Sequence, residues 1–221
     1  MRTQIYRSIC CFLLLFVLAG LAACSQRPRS TADVPVVLSH SYRVSVAPFS
    51  QPTSTAELIM GQIPEPQGKI EENDLLQLDH KLRQVLTGAN SKRNYVFLKT
   101  PPKKTSIAYH SAAQPMALKH WLTYGQEHNC DLLLVPFVLD WHQRQGSRAG
   151  VTQSAAVHLE FFLLKISTGT VMSRSVFDEK QRPLSENFLE LGSFLKRHGS
   201  WVEAEDLASE GMLKAKKELG L

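Results

Sequence analysis

The chain has 221 residues, with 25 Lys plus Arg against 20 Asp plus Glu, a formal net charge of +5, and 43% hydrophobic residues. With 10 Phe and 3 Trp available to pack, this balance excludes an intrinsically disordered chain, a polytopic membrane protein and collagen-like or low-complexity sequence. The length suits one domain, or at most two small ones, with an ample core.

Arg2 and Arg7 precede an apolar run over residues 9–18, and small residues follow up to Cys24. A basic start, an apolar middle and a small-residue cleavage site are the three parts of a secretory signal. A spanning helix needs about 20 apolar residues, and the polar Ser25-Gln26-Arg27-Pro28 arrives sooner. Within this stretch Leu21-Ala22-Ala23-Cys24 resembles the lipobox of bacterial lipoproteins. The resemblance implies that Leu21, Ala22 and Ala23 are the recognition positions of the lipoprotein signal peptidase and that residues 1–23 are a removed signal. Cys24 then becomes the first mature residue, its thiol carrying diacylglycerol and its amine an acyl chain such as palmitate. Each buried CH₂ contributes about 0.8 kcal/mol, so several chains make a durable membrane anchor. Ser25 stands where inner-membrane retention typically has Asp, which by the same resemblance favours the periplasmic face of the outer membrane. That covalent lipid apart, no cofactor and no metal is expected.

Arg2 and Arg7 leave with the signal, and the remainder holds no run of five like charges, so nucleic acid is not an expected partner. Cys10 and Cys11 leave too, and Cys24 is acylated, which makes Cys130 the one remaining thiol and forbids an intramolecular disulfide.

Residues 24–41, rich in Pro, Ser and Arg, read as a lipidated flexible tether, and residues 42–221 as the periplasmic domain. The alternation over 42–49 predicts a strand, ended by Ser50-Gln51-Pro52. Asn73 or Asp74 is placed to cap a helix in which Leu75, Leu78, Leu82, Val85 and Leu86 recur at helical spacing before Gly88. A short strand over 95–98 and a helix over 115–127 come next. Residues 130–141 are apolar on both alternating sets, the pattern of a strand covered on both sides. Pro136 cannot donate to a ladder, so it predicts a bulge or an amide position that needs no partner. A long strand over 152–166 and a second over 171–177 flank the Ser167-Thr168-Gly169-Thr170 turn as an antiparallel hairpin. Two helices close the chain, over 183–197 and 203–219. The second is acidic in its first turn and basic in its last, as the helix dipole favours.

The order β-α-β-α-β-β-β-α-α predicts an α/β fold, a single sandwich domain with a mixed β-sheet and helices packed on it. That order resembles the domain shared by the amino-terminal part of TolB, the curli secretion lipoprotein CsgG and the activator lipoprotein LpoB. The resemblance rests on three strand motifs: the opening strand over 43–49, Cys130-Asp131 before the central apolar strand, and Thr168-Gly169 in the hairpin turn. Pro136-Phe137 replaces a glycine common in those relatives, and Ser173 stands for an expected aromatic. No pair of amphipathic hairpins suited to a pore is present. The segment from Phe177 to Trp201 resembles uncharacterised bacterial lipoproteins.

No catalytic constellation emerges, so no enzyme is expected. No two of the eight histidines lie at the i, i+4 spacing of a helical zinc pair, and there is no Cys-x-x-Cys. His128, Cys130 and Asp131 invite a thiol-nucleophile hypothesis, but a cysteine entering a strand is more simply a small buried hydrophobe. No phosphate loop or nucleophile elbow occurs. Trp121, Trp141 and Trp201 fall on apolar faces or helix starts and read as core. Adjacent Phe161 and Phe162 point to opposite faces of their strand, so a bare sheet face would expose one of them. Phe162 and Leu164 are accordingly the candidate partner-contact residues. The expectation is a non-catalytic, lipid-anchored periplasmic adaptor that binds an envelope protein in assembly or maintenance of the cell envelope. A periplasmic carrier of a small ligand or lipid is the alternative, and the oligomeric state is left open.

Overall fold

The computed structural model describes residues 38–39, 42–88, 91, 93–102, 115–146, 151–180 and 202–221. The expected signal, tether, Cys24, the helix over 183–197 and Trp201 lie outside the described residues. Ten elements are sufficient to trace the fold: β1 (Val44–Val46), α1 (Glu72–Thr87), β2 (Tyr95–Phe97), α2 (Ala117–Glu127), β3 (Leu132–His142), β4 (Gln145–Gly146), β5 (Val151–Gln153), β6 (Ala156–Lys165), β7 (Thr170–Lys180) and α3 (Ala204–Glu218). Five strands form one mixed sheet in the order β2-β1-β3-β6-β7, and β4 pairs with β5 separately. β1 runs parallel to both neighbours, and the β3-β6 and β6-β7 pairs are antiparallel. The sheet is open, so the expected α/β architecture with a mixed sheet and packed helices is what the chain adopts.

Both sheet faces are covered. On one, Leu78, Leu82 and Leu86 of α1 and Leu207, Ala208 and Met212 of α3 meet Val44, Leu132, Leu134, Phe161 and Leu163. On the other, Trp121 and Tyr124 of α2, with Leu58 and Ile59, meet Leu133, Val135, Phe137, Phe162 and Leu164. This two-sided burial is why β3 lacks an apolar-polar alternation: every residue from Leu132 to Leu139 is buried, the proline between them included. Trp121 and Trp141 are core residues, as expected.

Pro136 takes the second of its two options. In an antiparallel pairing a residue's N–H and C=O point to the same side, and the Pro136 carbonyl accepts the Ser50 N–H. Its nitrogen therefore faces β1's side at the height where β1 has already ended and the chain detours through Ala47 to Phe49. The bulge lies three residues on, where register slips between Val138 and Asp140.

Element ends follow local chemistry. α2 stops where Asn129 adopts φ +51°, with Asn129 N–H on Gln126 O at 3.1 Å and Cys130 N–H on Gly125 O at 2.9 Å. That is the two-bond closure usually made with glycine, and asparagine tolerates the left-handed backbone it needs. α1 starts after Glu71, two residues before Asn73 and three before Asp74, the expected caps. The expected long strand over 152–166 is two strands, because the chain breaks at Ser154 and Ala155. β7 extends three residues beyond its expected end, pairing Asp178, Glu179 and Lys180 with the start of β6.

Candidate functional site

Charge inside an otherwise apolar sheet marks the region of interest. Glu160 sits in the middle of β6 at 2% exposure, on the face that carries Phe162 and Leu164. Burying a carboxylate is costly unless it is paired, and the next strand supplies the partner: Arg174 donates from Nη2 to Glu160 Oε1. Arg174 also lies over the Phe162 ring, 5.5 Å from its centroid. Glu160 and Arg174 are diagonal neighbours, since Glu160 stands opposite Val176 and Phe162 opposite Arg174.

The layer continues along the sheet. His158, two residues from Glu160 and on the same face, places Nε2 3.6 Å from Glu160 Oε1 and Nδ1 4.0 Å from Asp178 Oδ2. Asp140 on β3, opposite His158 in register, lies 3.2 Å from His142 Nε2 and accepts the Gly68 N–H at 2.6 Å. The segment from Gln51 to Ile70 is sewn over this end of the sheet. Gln67 Nε2 donates to Pro52 O and Leu139 O, and Gln51 donates to Gly68 O while accepting from the Ile70 N–H. Gly68 has no room for a side chain, because a Cβ there would lie 2.3 Å from Trp141 O. Gly61, at φ +92°, passes over the ion pair, and a Cβ on it would stand 3.3 Å from Arg174 Nη2.

Chemically this is one buried ion pair, Glu160 with Arg174, flanked by carboxylates and imidazoles that lie within 4.0 Å of one another. The most buried group, Glu160, orients Arg174, whose side chain is 33% exposed, and Asp178 reaches solvent at 72%. The arrangement can present charges of both signs in defined positions at the surface. Among the described residues no group of three His, Cys, Asp or Glu side chains could hold a metal ion. No helix of the described residues is long and apolar enough to cross a membrane.

The candidate contact residues are corrected. Phe162 and Leu164 are both 0% exposed, because α2 and Leu58 cover the face expected to be bare. A contact surface needs atoms that solvent can reach, and those positions are core instead. The thiol hypothesis also lacks its geometry: Cys130 is buried, while the His128 Nδ1 meets Tyr124 O at 2.9 Å. Burial pushes the Cys130 thiol up, with Asp131 adding to the rise against the opposing Ser45 hydrogen bond and Arg43 charge, so the thiol stays protonated. The charged layer itself was missed. Its legible sign was Glu160 inside AVHLEFFLLK, with an arginine placed across the Thr168-Gly169 turn to meet it.

No protein-family model matches the chain, and no curated protein matches it. Among solved structures it is similar to the PelC dodecamer from Paraburkholderia phytofirmans, at 14% identity over 83% of this chain and 90% of that one, with a TM-score of 0.43. It is also similar to lipoprotein GNA1162 from Neisseria meningitidis, at 10% identity over 72% and 98%, TM-score 0.34. A third is the LpoB C-terminal domain from Salmonella enterica, at 10% identity over 66% and 88%, TM-score 0.34.

Proposed function

We propose that the chain is a lipid-anchored accessory protein on the periplasmic face of the outer membrane, binding a protein partner in cell-envelope assembly or maintenance, without catalysing a reaction. The observation that carries the reading is the run from Arg2 through the apolar residues 9–18 to Leu21-Ala22-Ala23-Cys24. An anchored fold with a pre-formed Glu160–Arg174 pair suits recognition, because side chains held in place by packing lose little freedom on binding. The protonated Cys130 thiol is a poor nucleophile, which supports the non-catalytic part. Trp121, Phe137 and Phe162 fill the space between α2 and the sheet, which favours a partner-binding adaptor over a carrier. The solvent-reaching rim of the layer, Arg174, Asp178 and His142, takes the role first assigned to Phe162 and Leu164.

Two measurements on cells expressing the full chain test this. Labelled palmitate should enter the wild type and not Cys24→Ala, and crosslinking in living cells should capture an envelope protein with the wild type. Capture should weaken when Arg174 and Asp178 are exchanged in sign. Palmitate-free wild-type protein would overturn the anchor, and purification with a bound lipid or small molecule but no protein would replace the adaptor with a carrier.

A further inference from the structure

The described domain sorts its charge by end. At one end Arg43 precedes β1, Arg93 precedes β2, Lys165 closes β6, and Lys216 and Lys217 lie in the last turn of α3. Their contacts tie them to one place. Arg43 donates to Asn129 O at 2.6 Å, and Lys165 Nζ lies 5.9 Å from the centroid of the Tyr42 ring. Arg93 donates to Leu38 O, Ser39 O and Gly220 O, and Lys216 donates to Val85 O at the end of α1. The acids at that end among the described residues are Glu127, Asp131 and Glu218, and Glu218 is already engaged by Lys214 at 3.8 Å and by the Ser175 hydroxyl at 2.5 Å. The opposite end holds the starts of α1 and α3, with Glu71, Glu72, Asp74, Glu203, Glu205 and Asp206. Lys69, Lys119, Arg144 and Lys180 are among the cations toward that end.

The chain reaches the domain at the cationic end, since Leu38 and Ser39 are the residues whose carbonyls Arg93 holds. From Cys24 to Leu38 the chain can span at most about 50 Å. Beyond a Debye length of roughly 8 Å a tether of that reach fixes no orientation, and within it a cationic face is drawn to anionic headgroups. We infer that the end of the domain bearing Arg43, Lys165, Lys216 and Lys217 docks on the anionic phospholipid surface in which the chain is anchored, and that the acidic end points away from it. This rests on the lipid-anchor reading above.

The test uses the full lipidated chain in vesicles of phosphatidylethanolamine with phosphatidylglycerol, carrying a quencher on the headgroups. A fluorophore is placed by Thr168→Cys beside Lys165 or by Gln153→Cys beside His142; Cys130 is buried and Cys24 acylated, so neither competes. The label at position 168 should be quenched several-fold more than that at 153. The difference should collapse in phosphatidylcholine vesicles, in high salt and in the Lys165→Gln, Lys217→Gln variant, each lysine lost lowering the docked population about fivefold. Lys180→Gln should leave it unchanged. Equal quenching at both positions, or an asymmetry that persists in phosphatidylcholine, overturns the docking. Protein that fails to float with vesicles at all overturns the anchor instead, so the two failures are separable.

Discussion

Glu160 is held by one guanidinium, and the sheet around it offers no water-like environment to fall back on. Removing Arg174 leaves that carboxylate buried without its cation, and Arg174→Ala should destabilise the domain by about 2–4 kcal/mol, a range reduced from fully buried pairs because the arginine is partly exposed. Urea unfolding measures it, and Glu160→Gln combined with Arg174→Ala should recover part of the loss. Two other residues make stability depend on alkaline pH. Burial pushes the Tyr124 phenol up from 10 to about 12, and the Cys130 thiol is raised as well, each group being neutral in the fold. Both folded values lie above the unfolded ones, so their contribution is complete below the unfolded values and is lost as pH rises through the folded ones. The urea midpoint should therefore decline between about pH 9 and 12, and less steeply in Tyr124→Phe. Glu160 left a sign in the sequence, a lone acid in an apolar strand, whereas the roles of Tyr124 and Cys130 left none. Tyr124 was legible as part of a helical stripe, yet its hydroxyl donates to Thr100 O, a contact fixed only by the chain's return past β2.

Elements were read more faithfully than their edges, and the reasons are physical. β3 was legible because both its faces are buried, so every alternate position is apolar. Its neighbour β6 has the same pattern, but Ser154 and Ala155 interrupt its start in a way periodicity does not mark. The cover over Phe162 was illegible because α2 and the segment around Leu58 come from far earlier in the chain. Loops sewn onto the sheet are equally hidden in sequence, and Gly68 is where such a seam is tightest. Gly68→Ala should cost about 1–3 kcal/mol, because the atom it meets is the Trp141 carbonyl and not a flexible side-chain end. β7, the outer strand, carries two devices that discourage pairing with another chain. Met172 is an extra residue where the register slips, and Lys214 Nζ donates to Val176 O at 2.8 Å. Lys214→Ala should barely change the unfolding midpoint and should raise concentration-dependent association, read by light scattering.

Across the whole molecule, the two chain ends of the described domain meet at one guanidinium. Arg93 joins Leu38 and Ser39 to Gly220 through hydrogen bonds of 2.9 to 3.3 Å. Arg93→Ala leaves three carbonyls to find other donors, and amide exchange should quicken at Tyr42 and at Leu219 to Leu221, with a loss of about 1–2 kcal/mol. No periodicity foretells such a contact, since Arg93 and Gly220 are separated by 127 positions. The same clasp has a mechanical consequence. A pull on the chain ahead of Leu38 is handed on to β1, which lies between two parallel neighbours, β2 and β3. The ladders on both sides of β1 share the load, while Arg93 passes part of it to the far end of α3. The domain is strung to hold its shape under tension from the side on which it would be tethered.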